Sequence, residues 1–288
     1  MNISVMAVSF PLDQETMEEI KQLIAEAETS DKVDYTTLLS VVELSDFYTK
    51  GFCLIAYDDD SDRLVGVLTS IDRIATLDFE WSGVVLPSAR RLGTGERLVK
   101  ELGRNLEIRG AATDFALIPD SSVAGQELLH KFGYTFDFQE RTMAAEAVIE
   151  ELDSKVEVSR YTNEESEVVR VLVNAFGDNE EEAKALIDFN TQTPNRQLMI
   201  AKLCDELVGT FTLVEDGDKL WVTGLAVHEN ARGKGVATNL LNWAKCEANL
   251  MGKASVYLDV ETDNDQALSI YKKVGFTTES NTHFYKKS

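Results

Sequence analysis

The chain has 288 residues, 44% of them hydrophobic, which is long enough for two domains of ordinary size with a core in each. Its 28 basic and 50 acidic residues leave a net charge of −22, a surface that repels phosphate backbones and argues against nucleic acid as a partner. No apolar run approaches the ~20 residues of a membrane span, and the first ten residues carry no basic group, so neither a membrane nor a secretory signal is expected.

Apolar periodicity predicts the elements in turn. A strand over 3–10 leads to a helix over 13–27, where Met17, Ile20, Leu23 and Ile24 recur at helical spacing. A second helix is expected over 35–48, then strands over 52–57, 64–71 and 77–86. A helix over 95–109, a strand over 113–118, a helix over 123–132 and a strand over 134–143 close the first half. The second half opens on a strand over 156–161, followed by helices over 164–176 and 180–190. Strands over 197–204, 206–214 and 220–227 precede a helix over 235–250. A strand over 254–260, a helix over 264–274 and a strand over 276–286 complete the chain.

The halves repeat one another in residues as well as in order. Val85, Arg90 and Gly93 match Val227, Arg232 and Gly235 at a constant offset of 142. Phe132-Gly-Tyr134 matches Val274-Gly-Phe276 at the same offset, and Leu98 matches Leu240. Leu64-Val-Gly66 matches Leu207-Val-Gly209 at an offset of 143, a one-residue indel. A period this long is one domain, not a solenoid repeat. The expected organisation is therefore two tandem α/β domains, 1–147 and 148–288, joined in the acidic stretch 144–154.

Cys53, Cys204 and Cys246 are scattered, with no C-x-x-C spacing, and read as buried reduced thiols of a cytoplasmic protein. His130, His228 and His283 are isolated, so no metal site is expected.

The chemistry concentrates at Arg232-Gly-Lys-Gly235-Val-Ala237, where a strand runs into a helix. The first turn of a helix carries N–H groups without internal partners and the positive end of the dipole, and together these hold anions. Gly233 and Gly235 leave the backbone open to a phosphate, and Arg232 and Lys234 add charge. Neither half has the G-x-G-x-x-G of a dinucleotide fold, and the Gly-Lys-Ser/Thr of a Walker loop is missing.

Arg232-x-x-Gly235-x-Ala237 at a strand–helix turn resembles the coenzyme A signature of the GCN5-related N-acetyltransferase (GNAT) superfamily. Asn264-x-x-Ala267-x-x-x-Tyr271-x-x-x-Gly275-Phe276 resembles that family's second signature, in the expected order. The resemblance covers nearly the whole chain, one unit per half, in a layout similar to mycothiol synthase and other two-domain acetyltransferases. It implies, in each half, a twisted mixed sheet flanked by helices, in the α/β class. It also implies a cleft where two parallel strands splay and an acetyl-CoA donor lies between them.

By that resemblance Leu225, Ala226 and Val227 would line the pantetheine arm, and Arg232, Gly233, Lys234, Gly235, Val236, Ala237 and Thr238 would cradle the pyrophosphate. Asn264 would reach the arm from the other side. A backbone N–H near Leu225 or Ala226 would stabilise the oxyanion. Asp259, with Glu261 as second choice, would take the amine's proton through water, and Tyr271 would protonate the departing thiolate. Bland roles stand beside these: Asn264 also suits a helix cap, Tyr271 a half-buried helix position, and Asp259 a polar strand position.

Projected back by 142, Asp259, Asn264 and Tyr271 fall on Leu117, Ser122 and Leu129, so the first half lacks the proton-handling groups. Its loop persists as Arg90-x-x-Gly93-x-Gly95, and whether it binds coenzyme A stays open. The expected activity is acetyl transfer to a primary amine of a small molecule or peptide, in the second half, by a monomer or homodimer. The alternatives are an acyl-CoA sensor without turnover and a scaffold with vestigial loops. Glu164, Glu165, Glu167, Asp178 and Glu180 to Glu182 form an acidic stretch where the acceptor would enter; it suits a cationic acceptor or is a solvated helix face.

Overall fold

The computed structural model describes residues 2–45, 47, 49–72 and 76–287. It forms two compact units, Met1–Gln139 with Thr282–Ser288, and Glu140–Asn281. In chain order the elements are β1 (Ile3–Ser9), α1 (Gln14–Asp31), α2 (Tyr35–Leu38), β2 (Lys50–Asp58), β3 (Arg63–Asp72), β4 (Asp78–Val85), α3 (Thr94–Arg109), β5 (Thr113–Pro119), α4 (Val123–Lys131) and β6 (Tyr134–Glu146). They continue as β7 (Val156–Arg160), α5 (Glu165–Phe176), α6 (Glu180–Gln192), β8 (Arg196–Leu203), β9 (Glu206–Asp216), β10 (Lys219–Val227), α7 (Val236–Leu250), β11 (Ser255–Glu261), α8 (Asp265–Lys273) and β12 (Thr277–Lys287).

Local chemistry accounts for most of these elements. Asp13 caps α1 by accepting from the Thr16 N–H at 2.9 Å, and the stripe Met17, Ile20, Leu23, Ile24 and Ala27 is buried. Asn179 and Glu182 close a reciprocal capping box at the start of α6. The helix expected over 35–48 is corrected: α2 has four residues, and a 3-10 turn at Val41–Glu43 follows. Ser40 takes a left-handed φ of 51° between them, which no continuous helix tolerates. The end of that expected helix, Tyr48, lies outside the described residues. Cys204 is also corrected. It falls one residue beyond β8 in a two-residue turn with Asp205, both at positive φ, and is exposed.

In the first unit β1 to β4 pair antiparallel in sequence, and β5 joins β4 in parallel. In the second unit β7 to β10 repeat that meander, and β11 joins β10 in parallel. The strands beside β5 and β11 are not the ones that sequence order suggests. Residues Thr282 to Lys286 of β12 pair antiparallel with β5, whereas Glu140 to Glu146 of β6 pair antiparallel with β11. The linear division at 147/148 thus differs from the compact units, which meet at 139/140 and give 282–288 to the first. A strand's apolar alternation marks it as a strand but does not name its partner, and β6 is long enough to serve both units.

One apolar cluster fills the first unit and includes Tyr285 from β12. In the second unit one cluster lies under α7 and α8 and another under α5 and α6. Among the described residues no helix is long and apolar enough to cross a membrane.

Truncation before Thr282 should therefore damage the first unit. It strips β5 of an antiparallel neighbour and removes Phe284 and Tyr285, which are 5% and 4% exposed. Each such aromatic contributes about 1.5–3 kcal/mol by burial. Hydrogen exchange should show lost protection in β5, while β8 and β9 keep theirs; equal loss in both units would count against this reading.

Candidate functional site

In the second unit β10 and β11 pair only over Lys219 to Trp221 and Ser255 to Tyr257. Both strands continue, to Val227 and Glu261, without further parallel pairing between them. The other edge of β10 is held by β9, but the register slips between Thr223 and Ala226. Thr223 faces Thr212 and Ala226 faces Thr210, so β10 carries one residue more than its neighbour. This is a β-bulge, with Gly224 exposed at φ 58° as the extra, left-handed residue. Leu225 and Val227 pack toward the α7–α8 cluster, whereas Ala226 is buried in the α5–α6 cluster. The open feature of this stretch is its backbone.

The bulge has a visible origin. In the first unit β3 and β4 keep one register throughout, Gly66 facing Val85 and Ser70 facing Trp81. The corresponding second-unit pairs are Gly209 with Val227 and Thr212 with Thr223. Three residues shift by 142 but Gly66 to Gly209 by 143, so β9 has one residue fewer between the two pairs. The one-residue indel between the repeats is therefore the bulge.

Beyond Val227 the chain makes a 3-10 turn at Glu229–Ala231 and enters α7 at Gly235. Gly233 and Gly235 sit at φ 74° and 81°, where a Cβ would be strained. No side chain caps α7, so the first-turn N–H groups stay available. Arg232, Gly233, Lys234 and Gly235 are exposed. Arg232 Nε donates to the Val227 carbonyl at 3.2 Å, which ties the arginine to the end of β10.

Asp259 lies on β11 two residues past Tyr257, where parallel pairing stops, and it is exposed. Thr142 of β6 stands opposite and donates to its Oδ1 at 2.7 Å. Glu261, exposed, is two residues on and on the same face, opposite Glu140. Asn264 caps α8, accepting from the Ala267 N–H at 3.1 Å; the capping role is thus occupied by Oδ1, and the amide nitrogen remains a donor. Tyr271 is 9% exposed on α8, its ring 6.1 Å from that of Phe276, in the same cluster as Leu225, Val227 and Val236. Burial raises its phenol above the ordinary value, so it stays protonated at neutral pH and can donate. On the opposite side, Leu172, Leu186, Ile187, Asn190, Leu198, Thr210, Thr212 and Gly224 line a small recess beside the bulge. Nearby, burial and then Glu165, Glu164 and Asp188 raise the Tyr161 phenol. Glu164 itself is engaged by the Thr162 and Asn163 N–H groups, and Glu182 by its capping box.

The first unit keeps the frame of this site but closes it. β4 and β5 also stop pairing, after Trp81 and Ala116, and Arg90 Nε donates to Val85 just as Arg232 does to Val227. Here, however, the guanidinium is engaged by both oxygens of Asp31, at the end of α1, while Tyr35 donates to the same carboxylate at 2.8 Å. The Arg90 hydrogen bond holds Asp31 below the usual carboxylate range. Lys234 is replaced by Leu92, and Thr238 by Glu96, whose carboxylate in the first turn of α3 pairs with Lys131. Gly233 is replaced by Arg91, held at φ 60°. Trp81 and Tyr134 both donate to Asp114 and fill the interior where Thr223 and Phe276 stand in the second unit.

Residues 162–276 match the model of the acetyltransferase (GNAT) family. That match lies within the second unit. Along its whole length the chain is similar in fold to a GCN5-related N-acetyltransferase from Sphaerobacter thermophilus, at a TM-score of 0.78 and 18% identity, covering 98% of this chain and 95% of that one. A tandem GNAT protein of the clavulanic acid biosynthesis pathway aligns at 0.73 and 16% identity, covering 98% of both chains. A fungal glucosamine N-acetyltransferase region aligns at 0.73 and 13%, over 99% of this chain and 38% of its own. Both units therefore carry the GNAT fold, in the mixed α/β arrangement expected.

Of the residues singled out in the sequence, the structure gathers Leu225, Val227, Val236 and Tyr271 into one cluster. The Thr142–Asp259 bond, the bulge and the Asp31 clamp were not foreseen; only the bulge had a signal, the odd offset of 143.

The clamp has a measurable signature. Asp31→Asn should lower stability by about 1–3 kcal/mol, the worth of a charge-assisted pair that is only partly buried. The native-state value is depressed, so this stabilisation is present above the unfolded value of roughly 3.9 and is lost as pH falls through the folded one. Denaturant melts should show wild type and variant separated at pH 7 and converging as the pH drops below about 4.

Proposed function

We propose that the protein transfers the acetyl group of acetyl-CoA to a primary amine of a small molecule or peptide, in the second unit, by direct attack. The observation that carries this reading is the bulged, half-unpaired β10 leading into the uncapped start of α7. Backbone amides left without strand partners suit a pantetheine arm that pairs as an added strand. The Arg232–Gly235 loop and the first turn of α7, through Thr238, suit the diphosphate.

The acceptor enters beside Gly224 and its nitrogen attacks the thioester carbonyl carbon. A bulge N–H near Leu225 or Ala226 stabilises the resulting oxyanion. Asp259 takes the ammonium proton through a water, which leaves a neutral amide after collapse. The C–S bond breaks, and the Tyr271 phenol donates its proton to the leaving thiolate, giving free coenzyme A. The recess by the bulge offers an apolar wall of Leu172, Ile187 and Leu198 to the acceptor body.

One carrier should bind per chain, because Asp31 and Glu96 disfavour a second diphosphate at Arg90. Calorimetry with acetyl-CoA should give a stoichiometry near one; Arg232→Ala should weaken binding about tenfold or more, and Arg90→Ala should leave it unchanged. Two equivalent sites, or sensitivity to Arg90 alone, would refute the assignment of the second unit.

Tyr271→Phe should lower turnover about 10²–10⁴-fold with acetyl-CoA affinity retained, as read by thiol release across an amine panel. Binding without turnover on any amine would point to a sensor instead.

A further inference from the structure

Two carboxylates, Asp259 and Glu261, compete for the role of proton acceptor on one face of β11. We infer that Thr142, on β6, is a positioning residue that makes Asp259 the acceptor. This rests on the proposed acetyl transfer and goes beyond it by placing part of the site on a strand that the linear repeat allots to the first copy.

Thr142 and Asp259 are directly opposite in the antiparallel ladder, and the Thr142 hydroxyl donates to Asp259 Oδ1 at 2.7 Å. Seven consecutive residue pairs hold this register, from Ser255 with Glu146 to Glu261 with Glu140. Threonine is β-branched and stiff at χ1, so the ladder fixes the hydroxyl and the hydroxyl fixes the carboxylate. A carboxylate oxygen has two lone pairs, so accepting from Thr142 leaves capacity for the water that delivers the amine's proton.

Glu261 lacks this support. Its cross-strand partner is another carboxylate, Glu140, a repulsive pairing in a sheet. No hydrogen-bond donor among the described residues reaches the Glu261 side chain. It also lies four residues beyond the last parallel pair with β10, whereas Asp259 lies two beyond, at the mouth of the splay. Tyr257 is the remaining titratable group of β11 on this face, and it packs on Trp221 with ring centroids 5.2 Å apart. Register, donor and distance all single out Asp259.

The test is steady-state kinetics with acetyl-CoA and an amine that wild type turns over, alongside calorimetric acetyl-CoA binding for every variant. Thr142→Val should lower kcat about tenfold, the loss of one hydrogen bond to a charged group, with KM for acetyl-CoA unchanged. Thr142→Ser, which keeps the hydroxyl, should restore most of it. Asp259→Asn should cost about 10²–10⁴-fold, and adding Thr142→Val to it should cost nothing more, because the two act as a unit. Glu261→Gln should stay within about twofold of wild type. An unchanged kcat in Thr142→Val, an equal further loss in the double variant, or Glu261→Gln as damaging as Asp259→Asn would each overturn the inference. Unaltered acetyl-CoA affinity separates these results from misfolding. Wild type that binds the carrier but acetylates no amine, or binds none, overturns the proposed function itself, and that is read before any variant is made.

Discussion

Everything at the site follows from two parallel strands that stop pairing after three residues. Backbone N–H and C=O groups in a folded protein are almost always satisfied, and a splayed pair leaves a row of them seeking partners. In the second unit this row is bounded by the bulge at Gly224 on one strand and by Asp259 on the other. Val236 at the start of α7 and Tyr271 of α8 share one apolar cluster with Leu225 and Val227 of β10. The carrier proposed above, extended and with an anionic end, suits such a frame. The bulge matters because it turns the β10 backbone without unpairing it from β9, so a distorted strand is kept inside a stable sheet.

Comparison of the two units shows one frame with different side chains around it. The splay, the strand–helix turn and the arginine bonded to the strand's last carbonyl are present in both. What differs is the company of that arginine. Asp31 neutralises Arg90 from within the chain, Leu92 replaces a lysine, and Glu96 brings negative charge into the first helical turn. The same inward turn is seen in Trp81, whose indole is tied to Asp114 instead of leaving space. Arg90 and Trp81 are thus engaged by carboxylates of the protein itself, whereas Leu92 is exposed. The core of the first unit remains one continuous cluster.

The closing strands carry a related lesson about where a site's boundaries lie. Thr142 belongs by sequence to the first repeat, yet it pairs with β11 and touches Asp259. Phe284 and Tyr285 belong by sequence to the second repeat, yet they are buried in the first unit. Neither repeat as written along the chain is a complete folding unit, since each contributes strand residues to the other's compact body.

Length, periodicity and the constant offset of 142 determined the two-copy organisation, and the order of strands and helices in each copy. The glycines of the loop before α7 and the tyrosine of α8 could be singled out for the same reason: the pattern they form lies within a few turns of chain. The helix over 35–48 misled, because apolar spacing there continued through Ser40, whose left-handed backbone is invisible in a hydrophobic pattern. Only the tertiary structure decided which strands lie beside β5 and β11, that Asp31 holds Arg90, and that Thr142 holds Asp259. Those contacts join residues 59 and 117 positions apart. A hydrogen bond across a sheet or between a helix end and a loop leaves no periodic trace in either segment, so only the assembled chain reveals it.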